Sequence, residues 1–268
     1  MGHTRLGKIP KSEKWNGVVG LFALLGGEGT HPFDEQIIGK VAALALDAAD
    51  EGLKKATNDK GLQLTFYALT QLALAGKHKG PERLSELGVE IGDRSSVLSL
   101  VSAFQDRLDQ EIDREARRTD VSEMAQKAAV AALLASFGEE SLPIFSESRE
   151  SVEESLGLIS SRGGFARLGQ RFFADFMARF LNFYVSRIAA DQTGSKLTPS
   201  ISSVSEFNHA LDRHCIQSAK IVKEFCGAWY SKTEFERGID EQNAEGFVAV
   251  ALKKLRAELA QQKEGEYA

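Results

Sequence analysis

Cysteine is nearly missing from this 268-residue chain, and the two that occur, Cys215 and Cys226, stand too far apart along one predicted helix to be joined. Their separation along that helix is about 16 Å, whereas a disulfide tolerates roughly 7 Å between Cα atoms. A disulfide-stapled scaffold is excluded, and reduced, buried thiols in a cytoplasmic compartment are expected. Proline is limited to five residues, so helices are seldom interrupted. An excess of positive charge is also lacking. With 33 Lys and Arg against 38 Asp and Glu, the formal net charge is −5, and no nucleic-acid partner is expected. Nor is there a run of about 18 uninterrupted apolar residues of the kind that spans a membrane. The nearest stretch, 61–76, carries Gln63, Thr65, Thr70 and Gln71 and reads as a buried helix.

What remains is ample material for a core, 43% hydrophobic residues, distributed with helical rather than strand periodicity. The pattern predicts an all-α fold, an irregular bundle of about ten helices organised around the Phe-rich stretch 163–191. On a wheel of about 100° per residue, Phe172, Phe173, Phe176, Met177, Phe180, Leu181, Tyr184 and Ile188 fill one broad arc there. Arg167, Arg171, Asp175, Arg179, Asn182 and Ser186 fall opposite.

Other helices follow from their ends and stripes. Ser12 caps a first helix to Leu25, and a Gly-rich loop leads to a second whose buried stripe is Ile37, Val41, Leu44 and Ala48. Gly80-Pro81 opens a short helix with proline at a tolerated position. Asp93 and Ser95 are candidate caps for the next, whose charged half, 106–118, is expected to project into solvent. Asp120 with Glu123 forms a capping-box pattern ahead of a helix that Gly138 ends. Residues 139–162, rich in serine and glutamate, are read as a joint between an N-terminal lobe, 1–138, and a C-terminal lobe, 163–268. After a polar loop at 193–203, Ser203 with Glu206 caps one long helix that Gly238 closes, and Asp240 starts the last. At the amino terminus, Arg5, Lys8, Lys11 and Lys14 precede an apolar run in the manner of an export signal. Glu13, the breaks at Gly17 and Gly20, and the lack of an A-x-A site favour a folded helix instead.

Residues able to do chemistry are few. His209, His214 and Cys215 suggest a metal or nucleophile cluster, but histidines five apart do not share a helix face as those of H-E-x-x-H do. The wheel sends His214 to the apolar stripe and His209 to solvent. The Gly26 to Thr30 loop lacks the strand, lysine and hydroxyl of a phosphate-binding loop. His31 beside Asp34 and Glu35 has no further ligand marked in the sequence. The acidic pairs Asp50-Glu51, Glu139-Glu140 and Glu153-Glu154 diverge by about 100° on a helix and read as solvated faces. No catalytic residue, metal site or cofactor is therefore assigned.

One line of charge stands out: Arg167, Arg171 and Arg179, an expected contact strip for an acidic protein partner or an anion. The resulting expectation is a non-catalytic helical adaptor or accessory subunit of a larger, bacterial-type assembly. Two alternatives stand beside it. One is an enzyme with a cryptic site between lobes near His214, Cys215 and Cys226. The other is a membrane-acting effector that uses the amphipathic aromatic helix 163–191.

Overall fold

A computed structural model describes residues 14, 16–18, 35–77, 80–116, 118–138, 148–191 and 201–261. The fold is all-α, with no strand among the described residues. In chain order the helices are α1 Glu35–Ala48, α2 Asp50–Thr57, α3 Lys60–Lys77, α4 Gly80–Glu86, α5 Val97–Glu115, α6 Asp120–Gly138, α7 Arg149–Ser160, α8 Arg162–Asp191, α9 Ile201–Ser218, α10 Lys220–Arg237 and α11 Glu241–Gln261. Of the expected first helix, Lys14 and Asn16–Val18 are helical; its remainder, the Gly26 to Thr30 loop and His31 lie outside the described residues. None of the helices is long and apolar enough to cross a membrane, among the described residues.

Two helices carry most of the packing. α8 meets α6, α10, α9, α7 and α1, and α3 meets α7, α6, α11, α5 and α4. Phe172, Phe173, Phe176, Met177, Phe180 and Leu181 of α8 are fully buried, so the aromatic arc faces the core. α3 is buried nearly all round, which requires its polar side chains to find partners inside. They do so by folding back on helix carbonyls: Thr65 Oγ1 donates to Gly61 O at 2.7 Å and Thr70 Oγ1 to Tyr67 O at 2.6 Å. Gln71 donates to Ile239 O and accepts from Arg83, which ties α3 to α4 and to the turn before α11. Asp59 caps α3, its Oδ1 accepting from Leu62 N at 3.0 Å, while Oδ2 accepts from Thr119 Oγ1.

Close helix crossings depend on glycine for space. A Cβ on Gly76 in α3 would lie 2.4 Å from Leu156 O of α7, and one on Gly227 in α10 would lie 2.4 Å from Arg162 O of α8. Gly169 in α8 leaves room for the thiol of Cys226, which a Cβ would approach to 2.4 Å.

Several local expectations shift in register. The cap of α5 is Ser96, in a capping box with Ser99, rather than Asp93 or Ser95, because the first helical residue is Val97. The box before α6 is likewise one residue earlier than Asp120: Thr119 Oγ1 accepts from Ser122 N and Ser122 Oγ from Thr119 N. On α1 the buried face is Ile38, Val41, Ala42, Ala45 and Leu46, with Leu44 and Ala48 only half-buried. α1 is gripped by α9 and α11 together, and Ala42 and Ala45 pack as core beside Ile38, Val41 and Leu46, which turns the buried face away from Leu44 and Ala48. α5 does not project as a whole. Phe104, Leu108 and Ile112 are buried along one face, and the charges on the other form ion pairs such as Arg107 with Glu111.

The long helix expected from Ser203 to Phe235 bends at Ala219, which has φ −72° and ψ −2° and separates α9 from α10. The backbone hydrogen bonds continue through the bend, so it costs little. Gly238, with φ 77°, ends α10 in the left-handed region that glycine tolerates. Within the stretch read as a joint, α7 is a helix with Val152, Leu156 and Ile159 buried. Buried side chains from either side of that stretch belong to a single hydrophobic cluster.

Candidate functional site

α6, α8 and α9 converge on a shallow groove of about 270 Å³. α6 supplies Ala131, Ala132 and Ala135; α8 supplies Arg171, Ala174, Asp175 and Ala178; α9 supplies Asp212 and Ile216. The alanines let the helix backbones approach closely while leaving no side chain to fill the space between them. Ile216 is 50% exposed at the rim, an apolar side chain beside the groove's charges.

The groove's charges are held in place by specific contacts. Arg171 Nη1 donates to Ser136 Oγ at 2.9 Å, and Ser136 in turn donates to Ala132 O at 2.7 Å. Lost hydration lowers the Arg171 guanidinium from its ordinary value, yet a group that titrates so far above neutrality stays charged. Arg179 grips Asp175 one turn before it through two hydrogen bonds, Nε to Oδ2 and Nη2 to Oδ1. Across the groove, the Asp212 carboxyl is raised, first by lost hydration and then by Asp175, with His209 and Arg179 opposing.

The three predicted arginines therefore do not act alike. Arg171 lines the groove, Arg179 holds Asp175 on its wall, and Arg167 stands exposed outside it, near Gly163. Ile216 and Asp212 were not singled out by sequence reasoning. The signal was there for Ile216: it lies off the stripe of Leu211, His214, Cys215 and Ser218, an isoleucine where the helix should be polar.

His214 and the thiols occupy the core. His214 is 3% exposed and lies against α1, with Cε1 3.5 Å from where a Cβ on Gly39 would sit. His209 is exposed on the opposite side of α9, as the wheel requires. Cys215 and Cys226 are both fully buried, and burial pushes both thiols well above their ordinary range; Asp212 and Asp175 add to the shift at Cys215. A thiol that stays protonated and out of reach is not a nucleophile. Neither cysteine should react with a thiol reagent in native buffer, and both should react once the chain is unfolded in denaturant. Rapid native labelling of either would mean that the core around α9 and α10 opens. Among the described residues, no three His, Cys, Asp or Glu side chains converge as metal ligands.

Set against known protein families, curated proteins and solved structures, the chain matches none.

Proposed function

We propose that the protein is a non-catalytic helical adaptor or accessory subunit of a larger assembly, and that it receives a protein partner along the α6–α8–α9 groove. The observation that carries this reading is the exposed Ile216 beside alanine walls and a strip of arginine and aspartate. An apolar anchor next to directed charge is the pattern from which protein interfaces draw affinity and register. An acidic segment of the partner suits the strip. Arg167 stands clear of the groove walls and meets the segment first. The Arg179–Asp175 pair, about one-third exposed on both sides, costs little to exchange for a partner carboxylate. The planar guanidinium binds such a group in a two-pronged way.

The test is affinity capture from the native host, comparing the parent chain with Ile216→Asp and with Arg167→Gln/Arg171→Gln/Arg179→Gln. A stoichiometric partner held by the parent is expected to be lost from both variants and from the parent at high salt, since exposed charge is screened over about 8–10 Å. Arg167→Gln alone should shift stability by no more than about 0.5 kcal/mol. Arg171→Gln should cost about 1 kcal/mol, through its bond to Ser136. A partner retained equally by both variants would remove the groove from consideration.

A further inference from the structure

A second cleft, of about 180 Å³, opens on the far side of α3, where α4 and the chain after it, α5 and the start of α11 come together. Its floor is apolar and belongs to the core: Leu64, Leu72, Val89, Phe104 and Leu108 are all at most 4% exposed. Its rim is acidic. Glu86, Glu111 and Glu241 surround the opening, and among the described residues Arg107 is the one cation that lines it. That cation is already committed, because Arg107 Nε donates to Leu87 O at 3.0 Å and its Nη2 pairs with Glu111. Glu241 is balanced by Lys60 at 2.9 Å, whereas Glu86 is exposed at the mouth and, among the described residues, has no counter-ion.

Two aromatic rings complete the lining, Phe104 on α5 and Tyr67 on α3. The Tyr67 phenol is raised above its ordinary value, by burial first and by Glu241 next, with Arg83 opposing. The cleft thus combines an apolar floor, two aromatic side chains and one uncompensated carboxylate at the rim, Glu86, since Glu111 is held by Arg107 and Arg114 and Glu241 by Lys60. An anion would meet the uncompensated Glu86 carboxylate at the mouth. A neutral hydrocarbon would leave Glu86 as it is and gain nothing from the rim. A cation on an apolar body satisfies all three features, since ammonium groups are drawn to carboxylates and to aromatic faces alike.

We infer that this cleft is a binding site for a compact organic cation, an alkyl- or arylammonium compound. Its apolar body lies on Leu72, Phe104 and Leu108, and its ammonium group meets Glu86 and Glu241 beside the Tyr67 ring. The volume suits a single-ring molecule; an enclosed apolar cavity of about 150 Å³ accommodates benzene. The site is separate from the α6–α8–α9 groove and does not depend on the adaptor reading.

The experiment is a titration of the full chain with 2-phenylethylamine, followed by calorimetry and by the melting temperature, with 3-phenylpropionate as the anionic counterpart of similar shape. Saturable one-to-one binding of the amine, and none of the acid, is expected. Glu86→Gln/Glu241→Gln should weaken the amine by about tenfold or more, the worth of one or two lost charge-assisted contacts. Ala68→Phe, which fills the cleft from α3, should abolish binding while the protein still melts cooperatively. No binding of the amine, equal binding of amine and acid, or undiminished binding by the folded Ala68→Phe variant would each overturn the assignment. Should the Ala68→Phe variant fail to fold, the double glutamine variant decides alone, because both glutamates are exposed and their loss leaves the core intact.

Discussion

Phe66→Ala is expected to destabilise the protein by about 3–5 kcal/mol, as for phenylalanine truncations in rigid cores. Phe66 is fully buried on α3, and five aromatic rings surround it. Phe165, Phe172 and Phe173 come from α8, Trp229 from α10 and Phe247 from α11, with centroids between 5.1 and 6.1 Å away. Phe247 lies nearly parallel to it, at 8°. Removing this ring leaves a hole in α3 whose aromatic walls belong to three other helices, so no single side-chain movement can close it. The cost should therefore reach the upper part of that range, where cavities collapse least. The measurement is the denaturant midpoint with the slope unchanged. A loss below about 1 kcal/mol would mean that the aromatic cluster repacks freely and that α3 is not locked to α8.

Gly227→Ala is expected to destabilise by about 1–3 kcal/mol or more, although alanine is the better helix former by about 1 kcal/mol. The sign is set by what the new methyl meets. It would lie 2.4 Å from Arg162 O and 3.0 Å from Ala166 Cβ, so α8 and α10 must separate along their contact. A backbone carbonyl cannot swing aside as a side chain can. Gly76→Ala should behave alike against Leu156 O. The control is built into the same molecule. Gly157 in α7 and Gly246 in α11 have nothing within 4 Å of where the new methyl would sit, and their alanine variants should stabilise by about 0.5–1 kcal/mol. Thermal melts of the four variants should therefore split into two pairs of opposite sign. If all four shifted upward, propensity would outweigh packing and the close crossings would be looser than these distances imply.

Much of this molecule is decided locally and is legible without a structure. A helix is made by hydrogen bonds between residues four apart, and its ends are marked by side chains close at hand. The lack of period-two segments therefore settles the all-α fold. Gly238 is readable as a helix stop because only the residue itself must accept φ 77°. The burial of α3 and the apolar arc of α8 follow from composition and periodicity in the same way, and so does the division of His209 from His214.

Packing between helices is another matter, because an apolar arc records that a face is buried and not what buries it. Nothing in the aromatic stretch on α8 indicates that five rings will gather around Phe66, more than a hundred positions from Phe173, on α3. On α1 the alanines turn the buried face, since a small residue serves as core wherever a neighbour comes close enough. The arginine line divides for the same reason. Regular spacing puts Arg167, Arg171 and Arg179 on one side of a helix, but α6 brings Ser136 to Arg171 and leaves Arg167 in solvent. The acidic cleft beyond α3 draws its lining from four separate segments, none of them distinctive alone. Local hydrogen bonding determined the helices; the distances between them, set by glycine, alanine and phenylalanine at each crossing, decided where the grooves lie.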